Sequence, residues 1–366
     1  MKALLLGDIS PTAASAEAFD RGDRESLFHD VLPLFENKDF VLCNLECAVT
    51  PEEKGIEKYG PCLKAPLGTA PLLKALGVTH AGLSNNHVFD FGKKGLADTR
   101  KALEAVGIAY TGIGENAEDA RRDLIIEKNG EKIAVVAVCE HEYSYALPDR
   151  EGCRGFDMID SLRDVREAKK NADRVIVLYH GGKEYSAYPS PRLLKVCRAM
   201  AEEGADVILC QHSHTIGCYE EYKGCHIVYG QGNFHFVEPS FMHPTPLTAG
   251  WDHGMAVTYD TLTDEISFDF VTTDLPGIRL AQGDLLSSLR KGFEERNASL
   301  LDGSWKKGWD AFVEAVAPEY LARLSEAFQK QETLREYNIV GHYLDCEAHH
   351  DVLAALFQTA NQTNEK

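Results

Sequence analysis

Short apolar runs alternate with amphipathic segments along the first half of the chain, and each of five runs stops at a residue able to bind a metal ion. The runs are residues 3–6, 40–43, 80–83, 175–179 and 207–210. Between them, residues 25–35, 70–76, 94–106, 161–170 and 191–203 carry apolar side chains at helical spacing. Strands alternating with helices predict a layered α/β sheet. Residues 124–127 and 132–138 flank Asn129-Gly130, a two-residue hairpin signal. Runs at 217–221, 226–229, 255–259 and 266–271 read as antiparallel strands. The expected sheet is therefore mixed, or there are two stacked sheets. From about Gly283 the pattern becomes helical, at 285–293, 311–328 and 350–358. That tail is expected to cap the sheet or to join copies of the chain.

Composition narrows the partners. The 366 residues are 44% hydrophobic and 26% charged, which suits a globular chain with a sizeable core. A net charge of -19 repels nucleic acid and anionic membranes, so neither is an expected partner. No apolar run approaches the roughly 20 residues of a membrane span. The opening MKALLLGDIS has too short an apolar stretch for a secretory signal. Several of the ten cysteines, such as Cys43 and Cys139, lie inside apolar runs. Buried, reduced thiols in a cytoplasmic protein are the expectation.

In open α/β sheets ligands gather beyond the carboxyl ends of the strands. Those positions hold Asp8; Asn44 and Glu46; Asn86 and His87; His180; and His212 with His214. Imidazole and carboxylate together suit a borderline divalent ion such as Zn, Mn or Fe. Gly7, Gly181 and Gly182 let backbone approach closely beside them. Any one of these residues alone has an ordinary explanation: a strand-end histidine is usually just hydrogen-bonded, and Asp8 could cap a helix. Recurrence at every strand end is what points to a site. A different grouping is a structural zinc held by Cys210, His212 and His214, which share strand parity, with Cys43 and Cys47. Cys210 reads more simply as a small buried apolar residue.

The segments GDIS (7–10), NLECAVT (44–50), SNNHVFDFG (84–92), HGGKEY (180–185), GADVILCQHSH (204–214) and VYGQGNFHF (228–236) occur in one order. Together they resemble the CapA family, named for poly-γ-glutamate capsule synthesis, within the calcineurin-like metallophosphoesterase superfamily. The resemblance covers about residues 1–240. It implies a four-layer αββα sandwich, which with the mixed strand pattern is expected over 1–275; the helical pattern of the tail, which no motif covers, makes 276–366 a helical extension. It implies two divalent ions, of Mn, Fe or Zn: one on Asp8 and His214, the other on Asn86, His180 and His212, with Glu46 bridging. His87 takes the place of a proton donor, with Asp90 to orient it. The superfamily usually has a histidine two residues after the first aspartate; here Ser10 stands there, so the first ion is expected to be the weaker.

The implied activity is hydrolysis of a phosphoester or γ-glutamyl-type bond by metal-activated water, on a small-molecule or polyglutamate-type substrate. The alternative is a non-catalytic component of poly-γ-glutamate synthesis or binding. Lys64, Arg150, Arg154 and Lys183 are candidate anion contacts. His141 and His235 are expected to line the pocket, His243 and His253 lie outside the ligand set, and His349-His350 reads as a surface pair on a helix.

Overall fold

Side-chain parity sorts the strands into two facing sheets. The computed structural model describes residues 1–140, 142–239, 248, 250–330 and 333–363. The strands of the first sheet are Lys2–Ile9 (β1), Phe40–Leu45 (β2), His80–Gly82 (β3) and Ala109–Thr111 (β4). In the second sheet, Leu124–Lys128 (β5) and Glu131–Cys139 (β6) form a hairpin, followed by Arg174–His180 (β7), Val207–Gln211 (β8), Tyr219–Tyr222 (β9) and Cys225–Val228 (β10). The chain then returns to the first sheet with Asn233–His235 (β11), His253–Asp260 (β12), Glu265–Asp274 (β13) and Gly277–Leu280 (β14). The first sheet runs β14-β13-β12-β1-β2-β3-β4, with β11 also on β1; the second runs β9-β10-β8-β7-β6-β5. Both are mixed. The β1–β2–β3–β4 and β6–β7–β8–β10 pairings are parallel, while β1–β12–β13–β14, β5–β6 and β9–β10 are antiparallel.

Alternate residues of one strand feed different cores. Ala3 and Leu5 of β1, Phe40 and Leu42 of β2, Val135 and Ala137 of β6, and Ile176 and Leu178 of β7 meet between the sheets. Leu4, Leu6, Val41 and Cys43 face outward into a core shared with helices Ala16–Arg21 (α1), Arg24–Phe28 (α2), Thr69–Ala75 (α3) and Gly92–Val106 (α4). Val136, Val138, Val175 and Val177 face Met158–Asn171 (α5) and Pro191–Glu202 (α6). This is the expected four-layer αββα sandwich. Each fully buried Leu or Val adds about 1.5–3 kcal/mol. The Asp157 and Ser190 side chains cap α5 and α6, and Pro191 sits in the first turn of α6, where it loses no hydrogen bond.

The Asn129-Gly130 hairpin forms as expected, with φ of 55° and 83°. Residues 25–35 are not one helix. Arg24–Phe28 is α-helical, but His29 takes φ 36° and Pro33 follows, so the chain continues as a 3-10 turn. The strand expected from 217 begins at Tyr219.

β14 still belongs to the first sheet, and among the described residues four helices follow: Gly283–Asp302 (α7), Trp305–Gln329 (α8), Leu334–Asp345 (α9) and Glu347–Thr363 (α10). Phe293 of α7 packs on Tyr219, Phe268 and Phe270. α8, α9 and α10 share an apolar cluster of Trp309, Val316, Tyr320, Tyr343 and Val352, against which Tyr59 and Tyr188 of the sandwich pack.

Candidate metal centre

The parallel strands of both sheets end at one place, and their terminal polar side chains converge there. Asp8, Glu46, His180, His212 and His214 are all buried. Asp8 accepts from Asn44 Nδ2 at 2.7 Å and from the His212 amide at 3.0 Å. Asn44 Nδ2 also lies 3.2 Å from His180 Nδ1, and His180 Nε2 lies 2.8 Å from Asn86 Oδ1. Glu46 Oε1 is 3.3 Å from His180 Nε2 and 4.0 Å from His214 Nε2. Potential ligand atoms of Asp8, Glu46 and His180 lie within 4.8 Å of one another, as do those of Glu46, His212 and His214. Glu46 belongs to both groups.

Backbone strain brings the last two histidines in. His212 and His214 have φ of 82° and 52°, a left-handed region costing about 1–3 kcal/mol for such residues. Their ring centroids end 5.8 Å apart, and His180 is 5.0 Å from His212. Gly181 is required on steric grounds: a Cβ there would come within 2.4 Å of Glu140 Oε2.

Burial sets the charge state. The Asp8 carboxyl is pushed up to about 6 by desolvation and then by Glu46. Desolvation raises Glu46 well above the usual carboxylate range. It also drives His180 down to about 4 and lowers His214, against the pull of Asp8. Without a cation the cluster favours neutral forms. Neither Glu46 oxygen has a hydrogen-bond partner among the described residues. An orphaned buried carboxylate amid imidazoles is a donor set that fits a divalent metal.

Beside the cluster, His87 Nδ1 is 2.6 Å from Asp90 Oδ2. Asp90 also accepts from the Leu63 amide at 2.7 Å and from Lys58 Nζ. Lys58 Nζ lies 3.2 Å from both His87 Nδ1 and the Asn86 carbonyl oxygen. Burial, then Lys58, lowers the His87 pKa to about 4 against the opposing pull of Asp90. A cavity of about 440 Å³ opens here. Lys58, His87, Lys183 and His212 line it from the sandwich; Phe312, Tyr320, His342 and His349 line it from the tail.

The family of bacterial capsule synthesis proteins, PGA_cap, matches residues 2–238, and its span takes in every strand end just described. The chain belongs to the PGA_cap family. The capsule biosynthesis protein CapA of Bacillus anthracis is 32% identical over 243 residues, covering 63% of this chain and 59% of that protein. The PGA biosynthesis protein CapA of Bacillus subtilis (strain 168) is 30% identical over 241 residues, 64% of this chain and 63% of that protein. The chain thus spans less than two thirds of either relative. Among solved structures, the NAD nucleotidase of Haemophilus influenzae has a TM-score of 0.40 at 14% identity, covering 80% of this chain and 62% of that one.

The convergent residues all lie within the family match, yet several expectations fall elsewhere. Lys183 lines the cavity, pairing with Glu184. Lys64 reaches the Glu52 carbonyl, Arg150 the Tyr145 carbonyl, and Arg154 pairs with Asp123 at 3.0 Å, all away from the cavity lining. The cysteine–histidine zinc does not assemble. Its parity argument needs an extended chain, which ends at His212, and Cys210 instead packs 3.6 Å from Cys197 in the helix-facing core. His235 does not line the pocket; it is fully buried against Phe19 and Phe28. His253 bonds Thr272 at 3.0 Å. His349 is not on the surface: it is 4% exposed, with Nδ1 2.7 Å from Tyr320 Oη, while His350 is exposed. His141 and His243 lie outside the described residues. Ser10 is buried and donates its amide to the His235 carbonyl at 2.9 Å. No cysteine forms a disulfide among the described residues, and no helix there is long and apolar enough to cross a membrane.

Two contributors escaped sequence reasoning. Lys58 lies in a loop with no periodic signal. Glu140 accepts from the Gly182 amide at 2.7 Å and pairs with Arg192 at 2.6 Å, and Arg192 in turn reaches Asp351 of α10 at 3.0 Å. Only the folded arrangement shows that link between the tail and the His180 loop.

Proposed function

We propose that the protein is a metal-dependent hydrolase that cleaves a phosphoester or γ-glutamyl-type bond with water activated at two divalent ions of the Mn, Fe or Zn kind. The observation that supports it most directly is Glu46, fully buried, facing His180 at 3.3 Å but without a hydrogen-bond partner among the described residues, and common to both ligand groups. Such a carboxylate costs several kcal/mol unless a cation compensates it. In this reading Asp8 and His214, 3.7 Å apart, serve one ion, Asn86, His180 and His212 serve the other, and Glu46 serves both; the tightest donor groups pair differently, Asp8 with His180 and His212 with His214, and share only Glu46. Bound ions would acidify a water and neutralise charge on the oxygens of the displaced group.

The remaining work falls to His87 and its neighbours. Asp90 accepts from Nδ1, so Nε2 is bare in the neutral ring and is the atom that takes up and then gives the transferred proton. Burial keeps the ring neutral near pH 7 until an anion enters. Negative charge in the cavity favours the imidazolium, which then protonates the leaving oxygen. Lys58 and Lys183 add positive potential to the same cavity. About 440 Å³ suits a small molecule, and the net charge of -19 disfavours docking a long polyanion.

The capsule-synthesis names of the relatives support a second reading, a non-catalytic component that binds poly-γ-glutamate. Exposed Leu321, Phe328, Leu344 and Phe357 also support association of copies through the C-terminal helices, which sedimentation measures. Metal analysis with a panel of p-nitrophenyl phosphate, nucleoside monophosphates and γ-glutamyl anilides separates the two functions. Metal-dependent turnover of a panel member, abolished by chelation, is expected. A metal-loaded protein inert on the panel that binds poly-γ-glutamate would favour the second.

A further inference from the structure

We propose a third metal site, on the C-terminal helices rather than in the sandwich: His342, Cys346 and His349 bind one Zn²⁺-class ion. These helices lie outside the family match at 2–238, so the site rests on this chain alone. The Cys346 sulfur and one ring nitrogen of each histidine lie within 4.8 Å of one another. Zn–S and Zn–N bonds of about 2.3 and 2.0–2.1 Å need donors roughly 3.6 Å apart, so only a small inward movement is required.

Local structure explains the convergence. His342 lies in the last turn of α9, Cys346 caps that helix, and His349 lies in the first turn of α10, so the bend between the two helices brings the three together. Cys346 sits at the junction of α9 and α10, with ψ 123°, and is fully buried. The rings of His342 and His349 meet with centroids 4.4 Å apart. Tyr320 Oη lies 2.7 Å from His349 Nδ1 and holds that ring in place. Metal-binding histidines typically have such a partner on the second nitrogen, fixing tautomer and ring plane.

Donor type selects the ion. One sulfur and two imidazoles favour Zn²⁺ over Mg²⁺ or Ca²⁺. Binding displaces the Cys346 thiol proton to solvent, and three protein ligands leave a fourth position open. His342 and His349 line the same cavity as His87 and His212, so a water or a donor atom of a cavity-bound molecule can fill that position.

Co²⁺ titration of metal-free protein tests the site apart from any activity. The sandwich centre offers only nitrogen and oxygen, so a near-ultraviolet thiolate-to-Co²⁺ charge-transfer band reports sulfur ligation. The wild type is expected to show that band at one equivalent. Cys346→Ser should abolish it while keeping the sandwich metal content, and His342→Ala, at a half-buried position, should shift its midpoint at least about tenfold. Co²⁺ uptake without the band, or a band that survives Cys346→Ser or is unmoved by His342→Ala, would overturn the assignment.

Discussion

Asp90 Oδ2 stands 2.6 Å from His87 Nδ1 and, with Lys58 and the Leu63 amide on the same carboxylate, holds the ring in one orientation. His87→Ala is expected to leave metal content near wild type and to slow turnover about a hundredfold or more. Asp90→Asn keeps the ring but loses the charge that fixes its tautomer, so a smaller drop is expected. Lys58→Met removes a cation that depresses His87, so the ring should titrate above about 4 by NMR. Loss of metal with His87→Ala would make it a ligand instead.

Glu46→Gln should strip both ions, because Glu46 belongs to both ligand groups, whereas His214→Ala should spare one. Elemental analysis after dialysis reads the difference. In the proposed centre an ion on Asp8 and His214 would lack the imidazole whose place Ser10 takes, so mild chelation should remove it first. Equal loss in the two variants would remove Glu46 from its shared role. Metal affinity should also fall below about pH 6, where the Asp8 carboxyl in the metal-free protein takes up its proton.

The strands and their terminal ligands were legible because both are local: Asp8, Glu46, His180, His212 and His214 follow apolar runs directly. The four-layer stacking came from the family resemblance, since β1 and β6 are apolar on both faces and their runs alone left one mixed sheet or two stacked sheets open. The 3-10 turn after Phe28 was not legible, since nothing in the composition of residues 25–35 announces the positive φ of His29. Nor was the role of the tail. His349 looked like half of a surface pair because α10 is polar around it, and only tertiary packing buries it against Tyr320. Lys58 and Arg192 act through partners 32 and 159 residues away, at separations no periodicity encodes.

His235 should make the protein acid-sensitive. Burial between Phe19 and Phe28 pushes its pKa down to about 3 from 6.5, and neither ring nitrogen has a hydrogen-bond partner among the described residues. In the unfolded chain the ring takes a proton below about 6.5, while in the folded chain it does not until about 3. The unfolded state therefore binds more protons in that window, and stability falls as pH drops through it, by up to about 1.4 kcal/mol per pH unit. Above 6.5 the contribution is flat. His235→Leu should flatten the slope of unfolding free energy between pH 6.5 and 4.5 by about one proton, measured by urea denaturation of metal-free protein. An unchanged slope would show that His235 takes no part in it.

Arg192 joins the site to the tail, and this makes the two separable by mutation. Its guanidinium lies 2.6 Å from Glu140, whose other oxygen holds the Gly182 amide two residues beyond His180, and 3.0 Å from Asp351 on α10. Asp351→Asn removes one charge but leaves Arg192 paired with Glu140, so no buried ion is orphaned. The expected cost is about 1.5–3 kcal/mol, the scale of a charge-assisted hydrogen bond. It should appear as faster amide exchange in α10, with KM rising because α8–α10 wall the cavity. Glu140→Gln strips Arg192 of its fully buried partner and should cost more, about 3–5 kcal/mol, while disturbing the His180 loop and lowering kcat. Exchange that quickens across the whole sandwich with Asp351→Asn, or not at all in α10, would show that the salt bridge does not tether the tail.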